Sequence, residues 1–308
     1  MRADEPWPEA GRRILRVHFL GMLANEDATR RGNDIEALHD MRVANRRQRA
    51  IFRIVAPYFK REAIRAFRDE LRTLAGRLGA VRDLDVLIDA ADDYRRPSGV
   101  DTPSALEPLL DEWRKRRATA RDELLTYLNG DDYRALIQRY MVFLSSTGAG
   151  VKEAAPGGPP QPSLVRHILP AKIWRQYGKV RAYETVLEQA SIKTLHALRI
   201  EGKRLRYLLE FFSELLGPDA AEATEALVAL QDHLGELHDS DVAIGLLRDF
   251  LMRGAQPPPS PVVADSVGRY LNVKLARLRT LQRTVKRPWR QITRKRFRKL
   301  LARMVAEL

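Results

Sequence analysis

Apolar residues recur at helical spacing along most of the chain, and no alternating run of β-branched residues interrupts them. That pattern predicts an all-α protein. Glycine and proline cluster in three places. Residues 145–163, SSTGAGVKEAAPGGPPQPS, read as an interdomain linker, and residues 96–108 and 254–261 read as loops.

An internal repeat organises the predicted helices. Leu38-His-Asp-Met-Arg-Val-Ala-Asn-Arg-Arg-Gln-Arg matches Leu195-His-Ala-Leu-Arg-Ile-Glu-Gly-Lys-Arg-Leu-Arg. The register sets His39 on His196, Arg42 on Arg199, Arg46 on Lys203, Arg47 on Arg204 and Arg49 on Arg206. A second block follows at nearly the same offset, with Leu78-Gly-Ala-Val-Arg-Asp-Leu-Asp-Val on Leu234-Gly-Glu-Leu-His-Asp-Ser-Asp-Val. In both copies a Pro/Gly loop and an Arg-rich helical stretch come next. Each half is therefore expected to hold four helices: an entry helix, the His-Arg helix, the Leu-Gly-Asp helix and a basic closing helix. The expected organisation is one unit over 11–144, the linker over 145–163 and a second unit over 164–308.

On a wheel of 3.6 residues per turn, His39, Arg42, Arg46, Arg49 and Arg53 fall within an arc of roughly 80°. Leu38, Met41, Phe52, Val55 and Phe59 occupy the arc on one side, and Val43, Ala50, Ile51 and Ile54 the arc on the other. A solvated charged face would have polar shoulders instead. The row from His39 to Arg53 is about 21 Å long at 1.5 Å per residue. In the second copy the row is His196, Arg199, Lys203 and Arg206, flanked by Leu195, Leu198, Leu205 and Leu209, and Glu210 ends it. Rows of cations between apolar walls repel one another and lose hydration, which is costly without a compensating anion. Asp83, Asp85, Asp239 and Asp241 are candidate internal partners for the off-row Arg47 and Arg204, which read as structural. For the rows themselves a multivalent anionic ligand fits best.

Charge strengthens that reading. The 308 residues carry 54 Lys plus Arg against 40 Asp plus Glu, a net charge of +14, and 43 of the bases are arginine. Arginine forks onto phosphate with two parallel hydrogen bonds. Between residues 266 and 306 stand fourteen bases and no acid, so the remaining chain balances. This stretch is expected to supply a wall opposite the second row. The absence of cysteine excludes disulfides, thiolate zinc sites and cysteine nucleophiles. No apolar run approaches the roughly 20 residues of a membrane span, and the first residues lack the layout of a signal peptide. A soluble cytoplasmic protein is expected, with no membrane partner.

The paired motifs resemble the CHAD family, the conserved histidine α-helical domain. Its hallmark is a repeated helix of the form His-x-x-Arg-Val/Ile-x-x-Arg/Lys-Arg-x-Arg, here starting at His39 and His196, and the Leu78 and Leu234 blocks also look like that family. The resemblance covers about residues 11–308. It implies two four-helix bundles related by a pseudo-two-fold axis around a basic central groove or pore. It also implies binding of inorganic polyphosphate and location at polyphosphate granules. The ligand residues it implies are His39, Arg42, Arg46, Arg49, His196, Arg199, Lys203 and Arg206. Ala197 after His196 and Gln48 before Arg49 depart from the pattern without touching the rows. Family members are often fused to a CYTH triphosphatase. Its Glu-x-Glu-x-Lys strand signature does not occur here, so no triphosphatase activity is expected.

Two other readings compete. His39-Asp40 and His238-Asp239 are His-Asp dyads of the kind used by metal-dependent HD-type phosphohydrolases, but the repeat pairs them with His196-Ala197 and Arg82-Asp83. Adjacent residues on a helix also face about 100° apart. The acid-free stretch, with Thr293-Arg-Lys-Arg-Phe-Arg-Lys, suits a nucleic-acid backbone. Aromatics do not interleave with the rows, however, and no zinc-finger or RNP pattern occurs. Histidines beside arginines are poor hosts for a dication, so divalent metals are expected only as ions carried by a polyphosphate. His18, His167 and His233 read as ordinary helix residues. No serine elbow, P-loop or dinucleotide glycine pattern is present. The sequence reads as a binding module without cofactor or catalytic residues.

Overall fold

The computed structural model describes residues 1–32, 34–95, 104–153, 160–252 and 259–308. Most of the expected loops at 96–108 and 254–261, and residues 154–159 of the expected linker, lie outside the described residues. Among the described residues the regular structure is helical, with two isolated bridges, Pro6 to Leu164 and Phe59 to Val151. The first copy of the repeat contains α1 (Trp7–Ala24), α2 (Glu26–Arg31), α3 (Ile35–Val55), α4 (Arg61–Arg95), α5 (Glu107–Asn129) and α6 (Asp131–Ser145). The second contains α7 (Val165–Arg181), α8 (Ile192–Phe211), α9 (Ser213–Leu216), α10 (Asp219–Met252), α11 (Pro261–Thr284), α12 (Lys286–Thr293) and α13 (Lys295–Ala306). The all-α expectation holds, but four helices per half is too few. The basic closing element is broken into α5 and α6 in one copy and α11, α12 and α13 in the other. Gly130 and Arg294 sit at the breaks in extended conformation.

Both His-Arg helices start from a capping side chain, which sets the phase of each basic row. The Asp34 carboxylate accepts from the Glu36 backbone N–H at 2.8 Å, and the Ser191 hydroxyl accepts from that of Thr194 at 3.1 Å.

The chain packs into two compact units that do not follow the halves of the repeat. One comprises residues 1–83 and 117–172 with Leu308, and the other residues 84–116 and 173–307. Helices α4 and α5 each contribute to both, because their turns between Leu84 and Arg116 lie in the second unit. There Leu87, Ala91, Leu109, Leu110 and Trp113 are buried with Leu247 of α10 and Val267 and Tyr270 of α11. The two compact units are thus drawn at other residues than 144 and 164.

The described ends of the predicted linker are also bonded into the first unit. Lys60 N–H donates to Gly150 O at 2.7 Å, Lys152 N–H to Tyr58 O at 3.0 Å and Trp7 N–H to Ser163 O at 2.8 Å. The buried Arg12 guanidinium donates to Phe143 O at 2.5 Å and Ala149 O at 2.6 Å, and lies 4.5 Å from the centre of the Phe143 ring. A buried cation is tolerable only when satisfied in this way.

In the first unit α1 packs along α3, and Gly11 sets the approach. A Cβ at Gly11 would lie 2.5 Å from Val55 Cγ1. In the second unit α8 packs on α10, where a Cβ at Gly202 would lie 3.0 Å from Gln231 Nε2. Each buried Leu, Phe or Val in these seams contributes about 1.5–3 kcal/mol over its exposed state.

Candidate functional site

The first basic row lies on α3, and its flanks are distributed as the wheel predicts. Leu38, Met41, Phe52, Val55 and Phe59 are all buried, as are Ala50 and Ile51, while Val43 and Ile54 are half-buried. His39, Arg42, Arg46 and Arg49 are consequently half-buried, and Arg53 at the end of the row is exposed. Gln48, the departure from the family pattern, is buried, and its amide donates towards His18 O at 3.4 Å on the α1 side. That position serves the α1–α3 seam, away from the row.

Arg42 Nη2 donates to Asp83 Oδ1 at 3.2 Å. Asp83, which the sequence offered as a partner for an off-row arginine, thus meets a row member. Arg47, read as structural, lies close enough to His18 that its charge adds to burial in holding that imidazole at about 4. His39 also sits below its ordinary value, first because it is half-buried, then because of the Arg82 and Arg46 charges; Glu36 and Asp40 oppose the shift. His39 Nδ1 and Arg46 Nε are buried atoms with no hydrogen-bond partner among the described residues. The Arg46 Nε–H, a donor without an acceptor in a row of cations, is suited to an oxyanion.

At the far end of the row the chain turns into α4, and Arg49, Phe52, Arg53, Arg68 and Arg72 line a small cleft that opens to solvent. Burial, followed by the charges of Arg53 and Arg72, lowers the Arg49 pKa. Arg68 and Arg72 were not singled out from the sequence. They stand four residues apart on α4, so they share one helix face, but their convergence on α3 is tertiary.

The second row lies on α8 in the other unit. The His196 ring stacks on that of His238, with centroids 4.9 Å apart and planes inclined by 28°. Burial lowers the His196 pKa, followed by the charges of His238, Arg199 and Lys203, with Asp241 opposing. His238 was placed in the sequence only as half of a dyad. Its own Nδ1 lies 3.3 Å from Asp239 Oδ1. The repeat register puts His238 on Arg82, so in each copy the row-starting histidine has a basic neighbour from the Leu-Gly-Asp block. That equivalence was available in the alignment of the two blocks.

Further along α8, a Cβ at Gly235 would stand 3.8 Å from the Arg199 guanidinium, an ordinary contact. The Gln231 amide donates to Arg199 O at 3.0 Å, tying α10 to the row. Arg206 Nη1 donates to Glu210 Oε1 at 2.9 Å, and its guanidinium lies 5.3 Å from the centre of the Tyr207 ring. Arg204 pairs with Glu201, one turn away, and not with an aspartate of the Leu234 block.

The acid-free stretch has been given carboxylates from elsewhere. Arg277 forks onto Glu236 at 2.5 and 2.7 Å, and Arg303 onto Asp219 at 2.5 and 2.9 Å. Arg296 pairs with Glu222 at 2.7 Å, Lys286 with Glu188, and Arg269 with Asp265. His233 shares a 2.8 Å hydrogen bond with Leu281 O, a structural role as expected. Among the described residues no three His, Asp or Glu side chains are arranged to hold a metal ion, and no helix is long and apolar enough to cross a membrane.

The model of the CHAD domain family matches residues 13–248. Two curated relatives, Uncharacterized protein MT2285 of Mycobacterium tuberculosis (strain CDC 1551 / Oshkosh) and Uncharacterized protein Rv2226 of strain ATCC 25618 / H37Rv, are each 30% identical over 230 residues. The match covers 70% of this chain and 41% of each relative, so the chain spans about two fifths of their length. Among solved structures, the CHAD domain from the plant Ricinus communis superposes with a TM-score of 0.70 at 24% identity, covering 98% of this chain and 93% of that one. PptA from Streptomyces chartreusis superposes with a TM-score of 0.68 at 16% identity, covering 93% and 100%. At these identities the superpositions speak for the fold alone.

Proposed function

The chain belongs to the CHAD domain family, and from that premise we propose that it is a non-catalytic binding module for inorganic polyphosphate. The observation that carries this reading is the half-buried basic row on α3, held between apolar flanks and ending in a four-arginine cleft with no carboxylate among its lining residues. A second row on α8, in the other unit, repeats the motif with His196, Arg199, Lys203 and Arg206. A linear polyanion neutralises a row of bases at regular helical intervals, which a single phosphate cannot do. Duplex DNA presents its phosphates on a rod too wide to follow a row sunk between apolar flanks. Divalent cations enter with the polyanion and have no dedicated ligands. Within a cell the module resides in the cytoplasm, on polyphosphate granules.

The test is a competition at physiological salt between long-chain polyphosphate, duplex DNA, RNA and orthophosphate. Polyphosphate is expected to displace the others, and its affinity to fall as salt rises because ionic contacts release counterions. Duplex DNA binding as tightly as polyphosphate would overturn the proposal. Hydrolysis of polyphosphate by the purified protein would overturn its non-catalytic part.

A further inference from the structure

The two rows end differently. The repeat sets Arg49 on Arg206 and Arg53 on Glu210. In the second copy the last row arginine is held by that glutamate, 2.9 Å away, so a carboxylate of the chain itself fills the place of an anion. In the first copy the corresponding position is a further arginine, and α4 adds two more.

Arg49 and Arg53 stand four residues apart on α3, and Arg68 and Arg72 four apart on α4, so each pair presents one helix face to the cleft. Asp69 is bonded to a member of this group. It pairs with Arg72 at 3.0 Å and with Arg65 at 3.7 Å, and does not line the cleft. The charged side chains that line the cleft are the four arginines. One of its walls is Phe52, which is 1% exposed and offers no hydrogen bond. A chain of phosphates finds no polar partner to pass through on that side.

We propose that this cleft seats a chain end. The terminal phosphate of a linear condensed phosphate docks among Arg49, Arg53, Arg68 and Arg72, and the inner phosphates follow Arg46, Arg42 and His39 back along α3. The inference rests on the polyphosphate reading and adds a chain-end preference and a direction to it. A monosubstituted phosphate carries about −1.5 to −2 charges near neutral pH, whereas an inner phosphate with two bridging oxygens carries one. Paired guanidinium forks, each able to make two parallel hydrogen bonds, match the more highly charged group. The second copy, where Glu210 holds the last row arginine, is expected to hold only inner phosphates.

The test compares linear tripolyphosphate, which has two ends, with cyclic trimetaphosphate, which has none. Both are titrated against the full chain by calorimetry, alongside orthophosphate and long-chain polyphosphate. The parent is expected to prefer the linear form. A double Arg68→Gln, Arg72→Gln variant is expected to lose about tenfold or more for linear tripolyphosphate and less than about threefold for the cyclic form, as lost charge-assisted bonds predict. Arg294→Gln, an exposed base outside both rows, serves as the control that leaves the linear-to-cyclic ratio unchanged. Equal losses for both ligands, or no preference in the parent, would overturn the chain-end assignment. Orthophosphate binding as tightly as tripolyphosphate would overturn it too, by revealing a pocket for a single phosphate. If the chain-end assignment fails while long polyphosphate still binds, the functional reading stands. Should long polyphosphate not bind the parent at all, that reading fails first.

Discussion

At the last turn of α3 the chain carries Arg53 where α8 carries Glu210, and the consequences run in opposite directions. On α8 the glutamate captures Arg206, whose guanidinium also lies against Tyr207. On α3 the corresponding Arg49 enters a cleft with Arg53, Arg68 and Arg72, and burial, followed by the charges of Arg53 and Arg72, lowers its pKa. The starts of the rows differ as well. The basic neighbour of His39 is Arg82, a permanent cation, whereas that of His196 is another imidazole, His238. Duplication kept the positions of the bases and let their partners diverge. Each copy pairs part of its own row, but at different positions: Arg42 with Asp83 near the start of one, Arg206 with Glu210 at the end of the other.

The sharpest way to break this comparison is to exchange the two end residues. Arg53→Glu is expected to weaken polyphosphate binding about 100-fold, since it removes one phosphate contact and gives Arg49 an internal carboxylate. Glu210→Arg is expected to strengthen binding about tenfold by releasing Arg206. Fluorescence titration of both variants beside Arg294→Glu, an exposed base elsewhere, checks this. Three shifts of equal size would mean that net charge alone matters and that the two rows are equivalent.

A second contrast concerns the seams that hold the rows in place. Gly11→Ala pushes a methyl group to 2.5 Å from Val55 Cγ1. Val55 is β-branched and fully buried, so it cannot swing aside, and a cost of about 2 kcal/mol is expected in denaturant unfolding. Gly202→Ala meets the mobile end of Gln231 at 3.0 Å. Its gain in helix propensity of up to about 1 kcal/mol offsets the disturbed hydrogen bond to Arg199 O, leaving a change below about 1 kcal/mol. Equal destabilisation by both would show that the α1–α3 and α8–α10 seams are equally tight.

The smallest expected effect is on pH dependence. In the unliganded protein His39 and His196 lie below the ordinary histidine value, so both are neutral near pH 7. A polyanion favours their protonated forms, and binding therefore takes up protons. Affinity should rise as pH falls from about 8 towards 6, by at most about tenfold per unit for each proton taken up. The double His39→Gln, His196→Gln variant should flatten that slope. An unchanged slope would assign the proton uptake to other groups, such as the ligand itself.

Much of the candidate site was legible in the sequence because helical periodicity is local. Once residues 38–55 are a helix, 3.6 residues per turn places His39, Arg42, Arg46, Arg49 and Arg53 on one face and Phe52 and Val55 beside it, whatever the rest of the chain does. The all-α class, the repeat register and the family resemblance came from the same local signals. What only the tertiary structure decided was which elements meet. Arg68 and Arg72 look like ordinary surface bases on α4 until α3 brings Arg49 and Arg53 to them. The fourteen bases of residues 266–306 look unopposed until α10 and its neighbours supply Asp219, Glu222 and Glu236. The two compact units, with residues 84–116 grouped apart from the rest of their own repeat, go with a buried cluster that includes Trp113, Tyr270 and Leu247. Apolar burial carries no direction along the chain. A periodic sequence therefore announces its buried faces and is silent about which partner will cover them.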